Sequence, residues 1–439
     1  QCRLCAQRCV IPEGRTGICR VRRNVGGTLY TLVYGRLIAQ AVDPIEKKPL
    51  FHFMPGSTSF SIATPGCNFR CTFCQNADIS QRPGLLGYVD GRDVAPEAVV
   101  QAAAHGGCAS ISYTYTEPTI FFEYAHDVGR LARERGMANV YVTNGYMTPE
   151  MLDAALPPGG APLIDAANVD LKAFSERFYR KLTGGRLDPV CDTLRWLVRD
   201  AGVWTEITTL IIPRENDSDD ELKRMSEWIV EELGPNVPVH FSAFHPDFRM
   251  LDRPPTPPET LLRARELARR AGINYVYTGN IADPATQSTY CHACQGLLIE
   301  RSGYRIGHYA MCGDRCGHCQ AEIPGRFSTR PGTWGSRRQP VRIASFARPR
   351  AERRSPQHQP ANQPIPNEGG GPPSPDTGHR TRFQGESAVA LPGAASTAHG
   401  DRHPEKPILD RQQEQQVFVP REGSHWTATR RKWTYVPTN

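Results

Sequence analysis

Three cysteines stand close together in the run GCNFRCTFCQ, where Cys67, Cys71 and Cys74 are spaced C-x3-C-x2-C. Thiolates this close in sequence suit convergence on one metal centre better than mutual disulfides. Three of them on a short loop can hold three irons of a [4Fe–4S] cluster. No fourth ligand lies nearby in the sequence, so one iron would stay open to a substrate or cofactor, as catalytic metal sites keep a vacant position. Phe69 and Phe73, between the cysteines, would shield such a cluster from water and oxygen. The alternative is a zinc site completed by a distant Cys or His.

Two further cysteine sets flank this trio. Cys291-x2-Cys294 and Cys316-x2-Cys319, separated by 21 residues, follow a zinc-ribbon spacing. The intervening LLIERSGYRIG reads as a hairpin turning at Ser302-Gly303. Tetrahedral structural zinc is expected here, with an auxiliary iron–sulfur cluster as the alternative. Cys312 could substitute as a ligand, while His292 and His318 read as surface residues. At the front, Cys2, Cys5, Cys9 and Cys19 form another four-thiolate set in a segment too short for its own core. Metal binding would supply the missing stability, and zinc and a second cluster both fit. A redox pair at Cys2 and Cys5 is disfavoured because no thioredoxin-like βαβ pattern surrounds it. Cys108 and Cys191 read as small apolar residues.

Composition divides the chain near residue 330. All 14 cysteines lie before that point, and the whole net charge of +7 lies after it. Residues 356–375 (PQHQPANQPIPNEGGGPPSP) have few apolar side chains and no period, which reads as disorder. The basic residues of this tail are scattered among few aromatics, so nucleic acid is not an expected partner. No apolar run approaches the roughly 18 residues of a membrane span, so no membrane is expected. No secretory leader is read at the front, and a reducing cytoplasm is the expected compartment.

The elements that position the trio alternate. Strands are expected at 59–64, 109–116, 139–143, 167–171, 204–212, 237–244 and 274–277, with helices at 96–105, 119–135, 192–200, 219–233 and 258–271. Such repeats predict a parallel sheet whose strands are apolar on both faces. Polar residues collect at the C-terminal strand ends: Glu117, Asn144, Asp170 with Lys172, and Ser242 with His245. That rim carries the chemistry in barrels, whereas a doubly wound sheet would gather it at one switch point. The expected class is α/β: a partial (β/α)6 TIM-like barrel with N-terminal and C-terminal cysteine-rich metal-binding segments and a disordered C-terminal tail. The expected segments are 1–57 (cysteine-rich), 58–285 (barrel), 286–330 (zinc-ribbon-like) and 331–439 (Pro/Arg-rich tail). Singly, each rim residue has a plain reading: a helix cap for Glu117, a turn at 143–145, an ion pair between Asp170 and Lys172, a loop position for His245. Their gathering on one rim beside a cluster loop favours function.

The chain resembles the radical S-adenosylmethionine superfamily, and within it the AmmeMemoRadiSam system radical SAM enzymes, relatives of the pyruvate formate-lyase activating enzymes. The resemblance rests on DPIEKKPLFHFMPGS (43–57), ATPGCNFRCTFCQN (63–76), YTYTEPTIFFEY (113–124), VTNGY (142–146), DLKAF (170–174), HFSAFHP (240–246) and YVYTGNI (275–281). It implies that Cys67, Cys71 and Cys74 hold the [4Fe–4S] cluster and that S-adenosylmethionine chelates the open iron. Reductive cleavage would yield a 5′-deoxyadenosyl radical that abstracts hydrogen from an unknown substrate, a protein being among the options the resemblance leaves open. Glu117 matches the acid of a Gly-Gly-Glu motif facing the methionine amino group, although Tyr115 and Thr116 replace the glycines. Thr143 and Asn144 would face the ribose or carboxylate. Asp170 and Lys172 match an Asp-Leu-Lys motif suited to a zwitterion, and His245 a histidine near the adenosine. The implied partners are an electron donor such as flavodoxin or ferredoxin, and AMMECR-type and Memo-like proteins. The alternatives are a glycyl radical enzyme activase and, outside enzymes, a metal-stabilised nucleic-acid-binding module.

Overall fold

The computed structural model describes residues 1–155 and 162–343, with the backbone of strands Ser424–Thr429 and Lys432–Pro437. Most of the tail expected over 331–439 lies outside the described residues.

A nine-stranded sheet organises the chain. Its strands are β1 (Ala39–Pro44), β2 (Thr58–Ala63), β3 (Ser110–Tyr113), β4 (Ala138–Thr143), β5 (Ala166–Asp170), β6 (Trp204–Ile211), β7 (Val239–Ala243), β8 (Val276–Gly279) and β9 (Gln339–Pro340). Strands β2 to β8 lie side by side in chain order and run parallel. The order never reverses, so every crossover winds the same way, as in a barrel and unlike a doubly wound sheet. The sheet stays open, with β8 and β9 at its edges.

Two expectations change. The sheet starts at Ala39 rather than 58, because β1 pairs antiparallel with β2. Residues 339–340, assigned to the tail by composition, pair with β1 as its outer neighbour. The seven parallel strands correspond to the seven strands read from the alternation. A search for β/α repeats sees only parallel strands and passes over antiparallel additions.

The two faces of the sheet also differ, where apolar strands were expected on both. The register puts Phe60, Ile111, Val169, Ile207 and Phe241 on one face, and the helices cover it. Helix α1 (Phe122–Glu134) turns Ala125, Val128 and Ala132 inward. It comes so close at Gly129 that a Cβ there would lie 3.2 Å from the Tyr113 hydroxyl and from Asn139 Oδ1. The other face carries buried Ser59, Ser61, Ser110, Ser112, Asn168, Glu206 and His240. Buried polar groups need partners, and the segment between β1 and β2 supplies them. Glu206 accepts from the backbone N–H groups of Phe51 (2.9 Å) and His52 (2.8 Å) and bonds His240 Nε2 at 2.7 Å. Asn168 donates to the Pro49 carbonyl at 2.9 Å.

The same segment ties in the C-terminal cysteine region. Arg301 is fully buried, donates to the Phe51 carbonyl (2.6 Å) and Thr289 Oγ1 (2.7 Å), and lies 4.3 Å from the Phe51 ring centroid. His52 bonds Tyr277 Oη (2.6 Å) and the Pro324 carbonyl (2.8 Å). No helix among the described residues is long and apolar enough to cross a membrane.

Candidate active site and metal centres

The trio sits in the loop that leaves β2. Gly66 opens the turn at φ +105°, where a Cβ would approach Val21 Cγ1 to 2.8 Å and the Cys19 carbonyl oxygen to 3.1 Å, so only glycine fits without a shift. The loop is pinned to residues 182–183 by Arg70 N–H to the Thr183 carbonyl (2.8 Å) and Thr72 N–H to the Leu182 carbonyl (3.0 Å). Phe69 and Phe73 are buried, against Tyr146 (ring centroids 4.9 Å apart) and Phe178 (5.8 Å) respectively. Burial pushes the Cys71 thiol up to about 12 and raises the Cys67 thiol well above its ordinary value. Metal loading must therefore displace protons.

Cys67, Cys71 and Cys74 border a cavity of about 1020 Å³, at the upper end of small-molecule sites. Its walls include Glu117, Thr143, Asn144, Asp170 and Lys172. Five of the six rim residues expected at a cofactor thus come together with the trio. The sixth, His245, is exposed, is not among the residues that border the cavity, and bonds the Pro246 carbonyl. Strand β7 ends at Ala243, and the chain turns away before His245. Ser242 and Asn280 border the cavity at this end.

Glu117 acts first as a clamp. Its Oε1 accepts from Thr119 N–H (3.0 Å), Thr119 Oγ1 (2.6 Å) and Thr143 Oγ1 (2.8 Å), and its Oε2 from Asn144 N–H (2.8 Å). Burial raises its carboxyl above the usual range, and these donors pull it back. Asn144 Nδ2 donates to Asn68 Oδ1 at 2.7 Å, beside Cys67. Lys172 Nζ meets Asp170 at 2.8 Å and lies 5.9 Å from the Phe73 ring centroid. Burial disfavours the Lys172 ammonium, but Asp170 outweighs it and keeps the lysine charged.

Tyr115 replaces an expected glycine yet adopts φ +62°, the conformation a glycine reaches freely. That costs about 1–2 kcal/mol. Its hydroxyl donates to Asp43, and Lys48 stands 4.7 Å from its ring centroid. The loop before Glu117 therefore keeps its turn without glycine.

Sequence reading missed other wall residues: Lys47, Lys48, Thr208, Asn280, Arg338 and Arg342. Lys47 and Lys48 lie in the DPIEKKP run, and Asn280 follows a strand-ending glycine, so both carried a local signal. Arg338 and Arg342 carried none, because composition assigned them to the tail. Thr208 Oγ1 is buried with no partner among the described residues. An orphaned hydroxyl on the wall and three thiols that no fourth protein donor closes fit a cluster with one open iron plus a polar ligand.

Cys291, Cys294, Cys316 and Cys319 form a different centre. Their sulfurs all lie within 4.8 Å of one another, with Cys291–Cys319 and Cys294–Cys316 both at 3.7 Å. A tetrahedral ion with bonds of about 2.3 Å places its sulfurs about 3.8 Å apart. The two halves repeat one turn: Gln295 N–H bonds the Cys291 carbonyl and Gln320 N–H the Cys316 carbonyl, both at 2.9 Å, with positive φ at both glutamines. Burial works against ionising Cys316, but the N–H groups of Cys319 and His318 bring its thiol down to about 6. Cys312 is exposed and outside the set. His292 bonds Tyr275 and His318 the Leu297 carbonyl, and neither belongs to the closed set of four thiols. The expected hairpin is present, Leu297–Ser302 pairing with Arg305–Tyr309. Cys2, Cys5, Cys9 and Cys19 gather around one small cavity of their own.

Residues 61–226 match the Radical SAM superfamily. The chain is 46% identical over 301 residues to an uncharacterized protein of Methanocaldococcus jannaschii, covering 69% of this chain and 87% of that protein. A second protein of that organism, provisionally named a glycyl-radical enzyme activating enzyme, is 22% identical over 215 residues, covering 48% and 77%. Among solved structures, a radical SAM methyltransferase from Sphaerobacter thermophilus superposes with a TM-score of 0.40 at 18% identity, covering 56% of this chain and 71% of that one. The chain belongs to the radical SAM superfamily. Membership implies a [4Fe–4S] cluster and S-adenosylmethionine as cofactors.

Proposed function

We propose that the chain reductively cleaves S-adenosylmethionine at a [4Fe–4S] cluster held by Cys67, Cys71 and Cys74, and uses the resulting 5′-deoxyadenosyl radical to take a hydrogen atom from a substrate. The observation that carries this reading is the opening of all three thiols onto one cavity with the polar strand ends. When bound, the cluster and S-adenosylmethionine supply the one-electron chemistry, and the protein orients and shields them. Glu117 holds the Thr143–Asn144 turn against the cluster loop. Asp170 and Lys172 present paired charges suited to the zwitterionic methionine end. Lys47, Arg92, Arg338 and Arg342 line the remaining wall. Glu117 and Asp170 are engaged by protein donors, Lys47 and Arg338 pair with Asp43, and Asp78 also borders the cavity, so among the described residues Arg92 and Arg342 are the cations left to meet an anionic substrate portion.

Activation of a glycyl radical enzyme is the second reading, favoured by the name of the relative at 22% identity. We read the Cys291 set as a structural zinc site of ribbon type. Anaerobic reconstitution, reduction and assay of 5′-deoxyadenosine test the proposal. Formation of the nucleoside that depends on the trio supports it. A reconstituted, reduced protein that yields none defeats it. Incubation with a glycyl radical enzyme, read as a glycyl radical signal, tests the second reading.

A further inference from the structure

The N-terminal cysteines form a site that the radical chemistry alone does not use. Residues 1–21 contain no helix and only isolated bridges. They are held by contacts to distant loops: Ala6 N–H to the Tyr146 carbonyl (3.1 Å), Gln7 Nε2 to the Gly184 carbonyl (3.0 Å) and Arg8 to Glu150 (2.8 Å). Within this segment Cys2, Cys5, Cys9 and Cys19 all border one cavity, and Cys2 N–H bonds the Cys9 carbonyl at 2.8 Å.

The spacing of the sulfurs separates the three cysteine sets. Among the described residues, the Cys291 set is the one whose sulfurs all lie within 4.8 Å, as a single ion requires. The N-terminal set does not close to that limit, and neither does the trio that fits a cluster. A cubane takes one thiolate at each of four irons and does not require that closeness. The N-terminal set and the trio thus share one property, four or three thiols gathered without closing on a single ion.

Asn68 and Gly66 link the two sets. Asn68, next to Cys67, borders the N-terminal cavity. Its carbonyl accepts from Gln7 Nε2 at 3.0 Å, while its Oδ1 accepts from Asn144. Asn68 is fully buried, and its Nδ2 donor has no acceptor among the described residues. A cluster sulfide would supply one. On the Cys19 side, the Cys19 carbonyl lies against Gly66, the neighbour of Cys67. Outside, Arg3, Arg15 and Arg20 are exposed around Val10, which is 79% exposed, with Glu13 the acid among them.

We propose that Cys2, Cys5, Cys9 and Cys19 hold a second [4Fe–4S] cluster that delivers single electrons to the cluster site of Cys67, Cys71 and Cys74; this rests on the radical reading above. A reduced low-potential carrier protein of flavin or iron–sulfur class, with an acidic surface to meet the arginines, gives up one electron. That electron takes the N-terminal cluster from the 2+ to the 1+ state. It then passes along the Asn68 contact and reduces the second site from 2+ to 1+, returning the N-terminal cluster to 2+. No bond forms or breaks, and no proton moves.

The test uses the full chain reconstituted anaerobically with iron and sulfide. The expected result is about eight irons per chain, falling to about four in Cys71→Ala and to about four in the double variant C5S/C9S. On reduction, Cys71→Ala keeps one paramagnetic cluster signal while forming no 5′-deoxyadenosine. The ratio of 5′-deoxyadenosine formed with a reduced flavodoxin or ferredoxin to that formed with dithionite falls about tenfold or more in C5S/C9S, as expected when a delivery step is lost. Zinc in the N-terminal set, or no iron left in Cys71→Ala, overturns the cluster. An unchanged ratio overturns the relay. If C5S/C9S fails to fold, the iron content and signal of Cys71→Ala still decide whether the cluster exists. Failure of the radical reading shows differently: the unaltered protein holds both clusters and makes no 5′-deoxyadenosine with either reductant.

Discussion

Glu117 Oε2 accepts the backbone N–H of Asn144 at 2.8 Å, so the acid at the end of β3 fixes the turn that leaves β4. The relationship places a charge and a turn on one wall, and it makes Glu117 a positioning group as well as a candidate cofactor contact. Glu117→Gln would turn an amide N–H₂ toward donors that already point inward. Leaving buried donors unsatisfied costs about 1–3 kcal/mol. The expected outcome is a lower melting temperature together with weaker S-adenosylmethionine binding, read by thermal unfolding and calorimetry. Glu117→Asp, which keeps the charge, should recover part of both.

Cys71→Ala removes a ligand of the trio and leaves its neighbours in place. Iron bound at the trio should be lost and 5′-deoxyadenosine formation should fall to background, while the fold keeps its circular dichroism. Full activity in this variant would exclude the trio as the ligand set.

The Cys291 set makes a different prediction. One zinc per chain should survive purification, and metal chelation should lower stability, because binding energy at such sites is folding energy. Cys316→Ser should abolish zinc retention. Cys312→Ser should not, since Cys312 is exposed and outside the set. Elemental analysis separates the two variants.

His52 sets an acid limit on stability. Burial pushes its imidazole down from the ordinary 6.5 to about 4. Below 6.5 the unfolded chain takes up a proton that the folded chain refuses. The His52 contribution is therefore complete above about 6.5 and is lost as pH falls toward about 4, at ~1.4 kcal/mol per unit. Chemical unfolding between those pH values should show the loss. His52→Gln should flatten that slope while lowering stability at neutral pH, because Tyr277 and the Pro324 carbonyl lose their partner.

The trio, the flanking cysteine sets and the β/α rhythm were legible in the amino-acid sequence because each is local. Ligand spacing over eight residues and strand-end polarity need no knowledge of the distant chain. Glu117, Thr143, Asn144, Asp170 and Lys172 could be grouped in advance for the same reason: parallel strands deliver their C-terminal ends to one rim. Tertiary structure decided the rest. It removed His245, because β7 ends before it and the loop turns outward. It brought Arg338 and Arg342 to the cavity through β9, an edge pairing that composition concealed. It gave the sheet a polar face, which is tolerable only because a segment from between two other strands satisfies Glu206 and Asn168. It also set the spacing of each four-cysteine group, which sequence separation does not fix: sulfurs two residues apart can close on one ion or open around a cluster, depending on what the surrounding chain holds them against.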